Sequence, residues 1–146
     1  MTYIGIDCGK NGSICAITPT GPVAHKMPDT DKDLLDLLKS VMFSDDGKAV
    51  ACLEEVSSSP QMGVVSAFTF GRGYGKLEMA LLAAEIPTDK VRPAVWQKAL
   101  RCLSKGDKNV TKARAQELFP SLKCTHATSD GLLIATYCQR KHTGTL

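Results

Sequence analysis

The sequence predicts an α/β domain: a mixed five-stranded sheet, an antiparallel meander followed by parallel strands, with helices on both faces. Three observations carry this reading. Residues 1–26 hold three short apolar runs joined by tight turns, and Ala49 to Val56 is apolar on both faces after an amphipathic stretch. Apolar residues then recur at helical spacing toward the end of the chain. At 146 residues a single domain, residues 1–146, accounts for everything. Such a length buries about 68–70% of the surface its unfolded chain exposes.

The first strands are Tyr3–Asp7, Ser13–Ile17 and Val23–Lys26, separated by turns at Gly9 to Gly12 and Pro19 to Pro22. Connections that short imply antiparallel neighbours. Thr30-x-x-Asp33 reads as a variant capping box, and Leu34, Leu37, Leu38 and Val41 follow at helical spacing. A helix over about 31–43, ending near Ser44 to Gly47, is expected. Ala49 to Val56 is then a buried central strand reached by a crossover. Ser59-Pro60 marks a helix start, and a long helix is expected within 61–85. Gly71, Gly73 and Gly75 weaken it. They permit either close backbone approach, to the sheet or to nucleic acid, or a break between two helices. Residues 89–92 form a short strand, followed by helices over 94–103 and 111–118. A last helix, capped by Ser129, runs to about Arg140 with Leu132, Leu133, Ala135 and Tyr137 inward.

Composition narrows the function classes. The net charge is only +3, but the segment from Lys90 to Lys123 holds nine of the 18 Lys and Arg residues. A basic segment in a near-neutral chain suits a polyanionic partner. The six cysteines show no CxxC pair, and Cys15 and Cys52 sit inside apolar runs. This usage fits free thiols in a reducing compartment, without structural zinc. No apolar run approaches the roughly 20 residues of a membrane span, and Met1 leads straight into a strand. A cytoplasmic protein with no membrane partner is expected.

Asp7 closes an otherwise apolar strand, Glu54 ends another, and Asp130 stands at the head of an apolar helix. A carboxylate in such a place is costly unless a proton, a cation or hydrogen bonds compensate it. Each also has a plainer role: Asp7 as a turn residue before Gly9, Asp130 as a helix-dipole partner, and Glu55 as the inward acid instead of Glu54. Together, three acids on rigid elements far apart in sequence point to a divalent-metal site. Hard oxygen ligands suit Mg²⁺, and paired ions can drive phosphodiester hydrolysis.

The chain resembles the RuvC-type Holliday junction resolvases, particularly the small bacteriophage forms on an RNase H-like fold. The resemblance covers nearly the whole sequence. It rests on Ile4-Gly5-Ile6-Asp7-x-Gly9 with Asn11-Gly12, on Leu53-Glu54-Glu55-Val56, on the glycine-rich stretch from Gly63 to Gly75, and on Asp130-Gly-Leu-Leu-Ile-Ala. Val91-x-Pro93-x-x-Trp96 and Lys112-x-Arg114 through Phe119-Pro120 add to it. The resemblance implies that Asp7, Glu54 and Asp130 are catalytic ligands of Mg²⁺, with Mn²⁺ able to substitute. The family's fourth ligand, often Asp and in some members His, falls on His126, whose neutral imidazole brings no charge to a second ion. The family also stacks an aromatic on unpaired junction bases shortly after the glutamate, and Ser57-Ser58-Ser59 occupies that stretch here. Phe68, Phe70 and Tyr74 come later. Core or a dimer interface is the expected place for Phe68 and Phe70.

Lys10, Arg72, Lys105, Lys108, Lys112 and Arg114 are the candidate phosphate contacts, with Lys105 and Lys108 the first choices because their loop can reach a scissile phosphate. The implied function is a metal-dependent endonuclease resolving four-way DNA junctions, leaving a 5′-phosphate and a 3′-hydroxyl. It would act as a two-fold homodimer built on the Gly63–Leu82 helix, in the host cytoplasm if phage-encoded. The alternatives are a junction-binding protein with weak or lost catalysis, and a related nuclease acting on other branched DNA or structured RNA. An actin-like phosphotransferase shares the Asp-x-Gly turn but needs two such domains, more than 146 residues provide.

Overall fold

The computed structural model describes residues 1–42 and 46–146. Five strands, β1 (Thr2–Asp7), β2 (Ser13–Thr18), β3 (Gly21–Lys26), β4 (Ala49–Glu54) and β5 (Thr88–Val91), form one sheet in the order β3-β2-β1-β4-β5. The first three run antiparallel; β4 pairs parallel to β1, and β5 parallel to β4. The helices are α1 (Asp31–Met42), α2 (Val64–Ala83), α3 (Pro93–Ala99), α4 (Lys108–Leu118) and α5 (His126–Thr143).

Strand alternation sorts the sheet into two faces. Ile4 and Ile6 of β1, Ile14 and Ala16 of β2, and Ala51 and Leu53 of β4 pack with Leu34, Leu38, Leu77 and Leu81 of α1 and α2. The other face carries Cys15, Val50 and Cys52 against Trp96, Ala115, Leu133 and Cys138 of α3, α4 and α5. Asp7 and Glu54 fall in step with the second set. Helices therefore cover both faces, as the sequence predicts. Among the described residues no helix is long and apolar enough to cross a membrane, and all six cysteines are free.

Two glycines let α5 lie directly on the sheet. A Cβ at Gly5 would collide with Ala135 N and Gly131 O, and one at Gly131 would collide with Ser13 Oγ. Backbone meets backbone at this point, so the start of α5 hangs over the ends of β1 and β4.

Several boundaries differ from the sequence reading. Thr30 caps α1, accepting from Asp33 N at 3.1 Å; the predicted end at 43–45 lies outside the described residues. Ser59-Pro60 does not start α2. It forms a turn, with Met62 N donating to Ser59 O, and Gly63 is the N-cap. The three glycines do not break α2, which is continuous, and a Cβ at Gly71, Gly73 or Gly75 would meet nothing within 4 Å. They do not mediate approach to the sheet. The third helix stops at Ala99, followed by Arg101 in a left-handed conformation. The fourth begins earlier than expected, because Asp107 accepts from Asn109 N and places Lys108 at its first position. Thr125, not Ser129, caps α5: Thr125 Oγ1 accepts from Thr128 N, and Thr128 Oγ1 accepts from Thr125 N.

The glycine contacts make opposite predictions for one substitution type. Gly5→Ala is expected to destabilise the fold by about 3 kcal/mol or more, because backbone must move. Gly73→Ala, on an open helix surface, is expected to stabilise it by about 0.5–1 kcal/mol. Urea denaturation of both variants checks the pair.

Candidate active site

The register of β1 on β4 pairs Ile6 with Leu53, so the next step sets Asp7 beside Glu54 at the sheet's edge. Asp130 comes from α5, which the Gly5 and Gly131 contact presses down at this point. All three acids line one cleft of about 410 Å³, together with Pro93, Gln97, Ser104, Lys105, Lys108 and Thr111. Thus residues separated by most of the chain share one solvent-open cavity. Glu54 rather than Glu55 is the inward acid; Glu55 is exposed and pairs with Arg92 at 3.5 Å.

The plainer roles do not describe these acids. Asp7 is 7% exposed and its carboxylate has no hydrogen bond among the described residues. Asp130 is the fifth residue of α5, one turn inside the helix rather than at its head, so it is not a cap. Its Oδ1 is buried with no partner among the described residues, and its Oδ2 lies 3.5 Å from Lys108 Nζ. Glu54 accepts from Trp96 Nε1 at Oε2, 2.8 Å away.

Electrostatics bind the three together. Burial, then the charges of Glu54 and Asp130, push the Asp7 carboxyl from its ordinary 3.8 to about 7, with Lys108 opposing. Burial also raises Glu54; the Trp96 hydrogen bond and Lys108 offset part of this, and Asp130 adds to it. Like charges held on three rigid elements in a shared cleft attract a cation. The donors are hard oxygens, and Asp130 keeps a buried oxygen with no partner, so the set fits Mg²⁺ or Mn²⁺ in kind. The shell is open, however: among the described residues no three His, Cys, Asp or Glu side chains already converge closely enough to enclose an ion.

The other predicted site residues divide. Lys105 and Lys108 do line the cleft. Lys105 adopts φ 49°, beside Gly106 at φ 93°, in a loop that Gln97 holds by accepting from Ser104 N and Oγ. His126 is exposed at the first position of α5, one turn before Asp130, with Nε2 3.0 Å from Asn109 Oδ1; it is not among the residues lining the cleft. Lys10 and Arg72 border a separate groove of about 680 Å³ between the β1–β2 turn and α2. Lys112 is half-buried on α4, and Arg114 donates to Leu100 O and to Glu117. Phe68 is 71% exposed and not core, whereas Phe70 is half-buried near Gly9. Sequence reasoning missed the part of Trp96. An indole that must be buried needs an acceptor, but nothing in the sequence says which.

Two solved structures are similar to this chain along 99% of its length, each with a TM-score of 0.63. One is Thermus thermophilus RuvC in complex with a Holliday junction substrate, at 17% identity and covering 97% of that chain. The other is Thermus thermophilus RuvC at 18% identity, covering 98%. No protein-family model matches the sequence, and no curated protein matches it. The chain thus shares the fold of these RuvC structures along nearly its whole length.

The raised Asp7 has a thermodynamic consequence. Without metal, the folded chain keeps this carboxyl protonated up to about pH 7, while the unfolded chain releases the proton above about 3.8. Asp7 therefore costs no stability at pH 3.8 and below. The cost grows as pH rises to about 7, reaching roughly 4 kcal/mol at most. In EDTA at pH 8, Asp7→Asn is expected to raise the Tm by more than about 4 °C. That gain should vanish near pH 4. Calorimetry of both proteins across this range checks it.

Proposed function

We propose that the protein is a divalent-metal-dependent, structure-selective endonuclease that cuts branched DNA, with the four-way junction as its substrate. The observation that carries this reading is the convergence of Asp7, Glu54 and Asp130 on one cleft that Lys105 and Lys108 also line. Acids and cations lining one cleft suit a phosphodiester held for hydrolysis. Similarity to a RuvC bound to a Holliday junction substrate supports the choice of DNA.

Asp7, Glu54 and Asp130 would hold Mg²⁺ or Mn²⁺, and the bound metal supplies water activation and relief of charge on the leaving oxygen. Asp7 must ionise to serve, so proton and metal compete for it. Lys108 pairs with Asp130 at 3.5 Å and is 60% exposed, so it can turn to a phosphate without unfolding anything. Lys105 and Lys108 then neutralise and position the scissile phosphate. His126, at helical i,i+4 spacing from Asp130, would face the same end of α5 if its contact with Asn109 opened.

Symmetric junctions need two cuts, and we assign the second to a two-fold partner. The outer face of α2 leaves Val64, Phe68, Met79 and Leu82 exposed. An apolar stripe of that kind suits a homodimer interface.

Nicking of a synthetic four-way junction tests the reading. Wild-type protein should cut in Mg²⁺ and not in EDTA. Asp7→Asn should lower the rate by about a hundredfold or more while junction binding persists. Binding without metal-dependent cutting by the wild type would favour the junction-binding alternative instead. For the cations, Lys105→Ala and Lys108→Ala should each reduce the salt slope of junction binding by about 1, whatever the sequence. A slope unchanged in both variants would remove them from the phosphate path.

A further inference from the structure

We propose that Trp96 is a positioning residue for Glu54: its indole N–H takes one carboxylate oxygen, leaving the other as a single-oxygen metal ligand. This rests on the metal-dependent reading of the cleft.

The geometry is specific. Trp96 Nε1 lies 2.8 Å from Glu54 Oε2, across 42 positions of sequence. The indole is 0% exposed and belongs to the core cluster that includes Val91, Leu100 and Leu133. Its donor is therefore fixed by packing rather than by a flexible chain. The helix α3 starts at Pro93, directly after β5, and β5 pairs with β4 in the register Glu54 to Val91. That pairing places Trp96 within reach of the glutamate at the end of the neighbouring strand. Asp7 and Asp130 have no comparable donor. Among the described residues Asp7 has no hydrogen bond, and the one partner of Asp130 is the exposed Lys108.

A glutamate has three rotatable bonds and can offer a cation one oxygen or two. Anchoring Oε2 on a buried N–H occupies one of its lone pairs, disfavours the two-oxygen mode and removes most of the rotation. Partners that orient a ligating carboxylate commonly govern metal affinity by 10- to 100-fold. A purely space-filling role would require the bulk of the indole but not its N–H.

Mn²⁺ binding, read as loss of the free-ion electron paramagnetic resonance signal, separates these roles without requiring DNA or turnover. Trp96→Phe keeps an aromatic ring in the core and removes the donor. Its Mn²⁺ affinity should fall about tenfold or more, with Glu54→Gln falling at least as far. Unchanged Mn²⁺ affinity in a folded Trp96→Phe variant would overturn the proposal. If that variant does not fold, the wild type still answers, because Trp96 is the chain's only tryptophan. Mn²⁺ should quench its emission saturably, with the midpoint of the resonance titration, and excess Mg²⁺ should restore it. Emission indifferent to bound Mn²⁺ would overturn the assignment while leaving the nuclease reading intact. A wild type that binds no Mn²⁺ at all would sink both.

Discussion

Backbone contact between α5 and β1 is the constraint on which the rest of the structure depends. Gly5 and Gly131 have no side chains because there is no room for them. With α5 this low, Asp130 overlies the ends of the two strands that carry Asp7 and Glu54. A Cβ at Gly5 would meet only helix backbone, and one at Gly131 would meet the side chains of Ser13 and Cys15. Fold and site are thus one arrangement: the packing that closes the second core face also gathers the acids.

That arrangement works against stability. Burial and mutual repulsion hold Asp7 at about 7 and raise Glu54 as well. Lys108 relieves part of the charge from a largely exposed position, and the Trp96 N–H relieves part from a buried one. Neither supplies what a divalent ion would. Sites that hold unfavourable charge in the resting protein are common where function needs that charge. Here the cost falls on rigid elements, two strand ends and a helix, which cannot relax to escape it.

Much of this was legible in the sequence. Alternation in Tyr3 to Asp7 and in Ala49 to Glu54 sets inward and outward residues, and short turns fix the meander. The three acids could be selected because each interrupts an apolar element. Glu54 could not be separated from Glu55 by pattern alone, since the choice depends on the register of β4 beside β1. Helix starts are ambiguous in the sequence where two capping residues stand close together. Thr125 prevailed over Ser129 because Thr128 completes a reciprocal pair with it, which moved Asp130 inside the helix. Asp107 similarly captured Lys108 for α4. The glycines of α2 were misleading in another way: their spacing suggested contact, whereas they face open space. The Trp96 to Glu54 bond was out of reach because it joins elements through the β4–β5 pairing.

Diffraction from crystals soaked in Mn²⁺, collected where manganese scatters anomalously, tests the central claim most directly. The account predicts an anomalous peak within coordination reach of both Asp7 and Asp130. A well-ordered soaked crystal with no peak in that cleft, or with manganese bound only at surface groups such as Asp89 and His142, would contradict it.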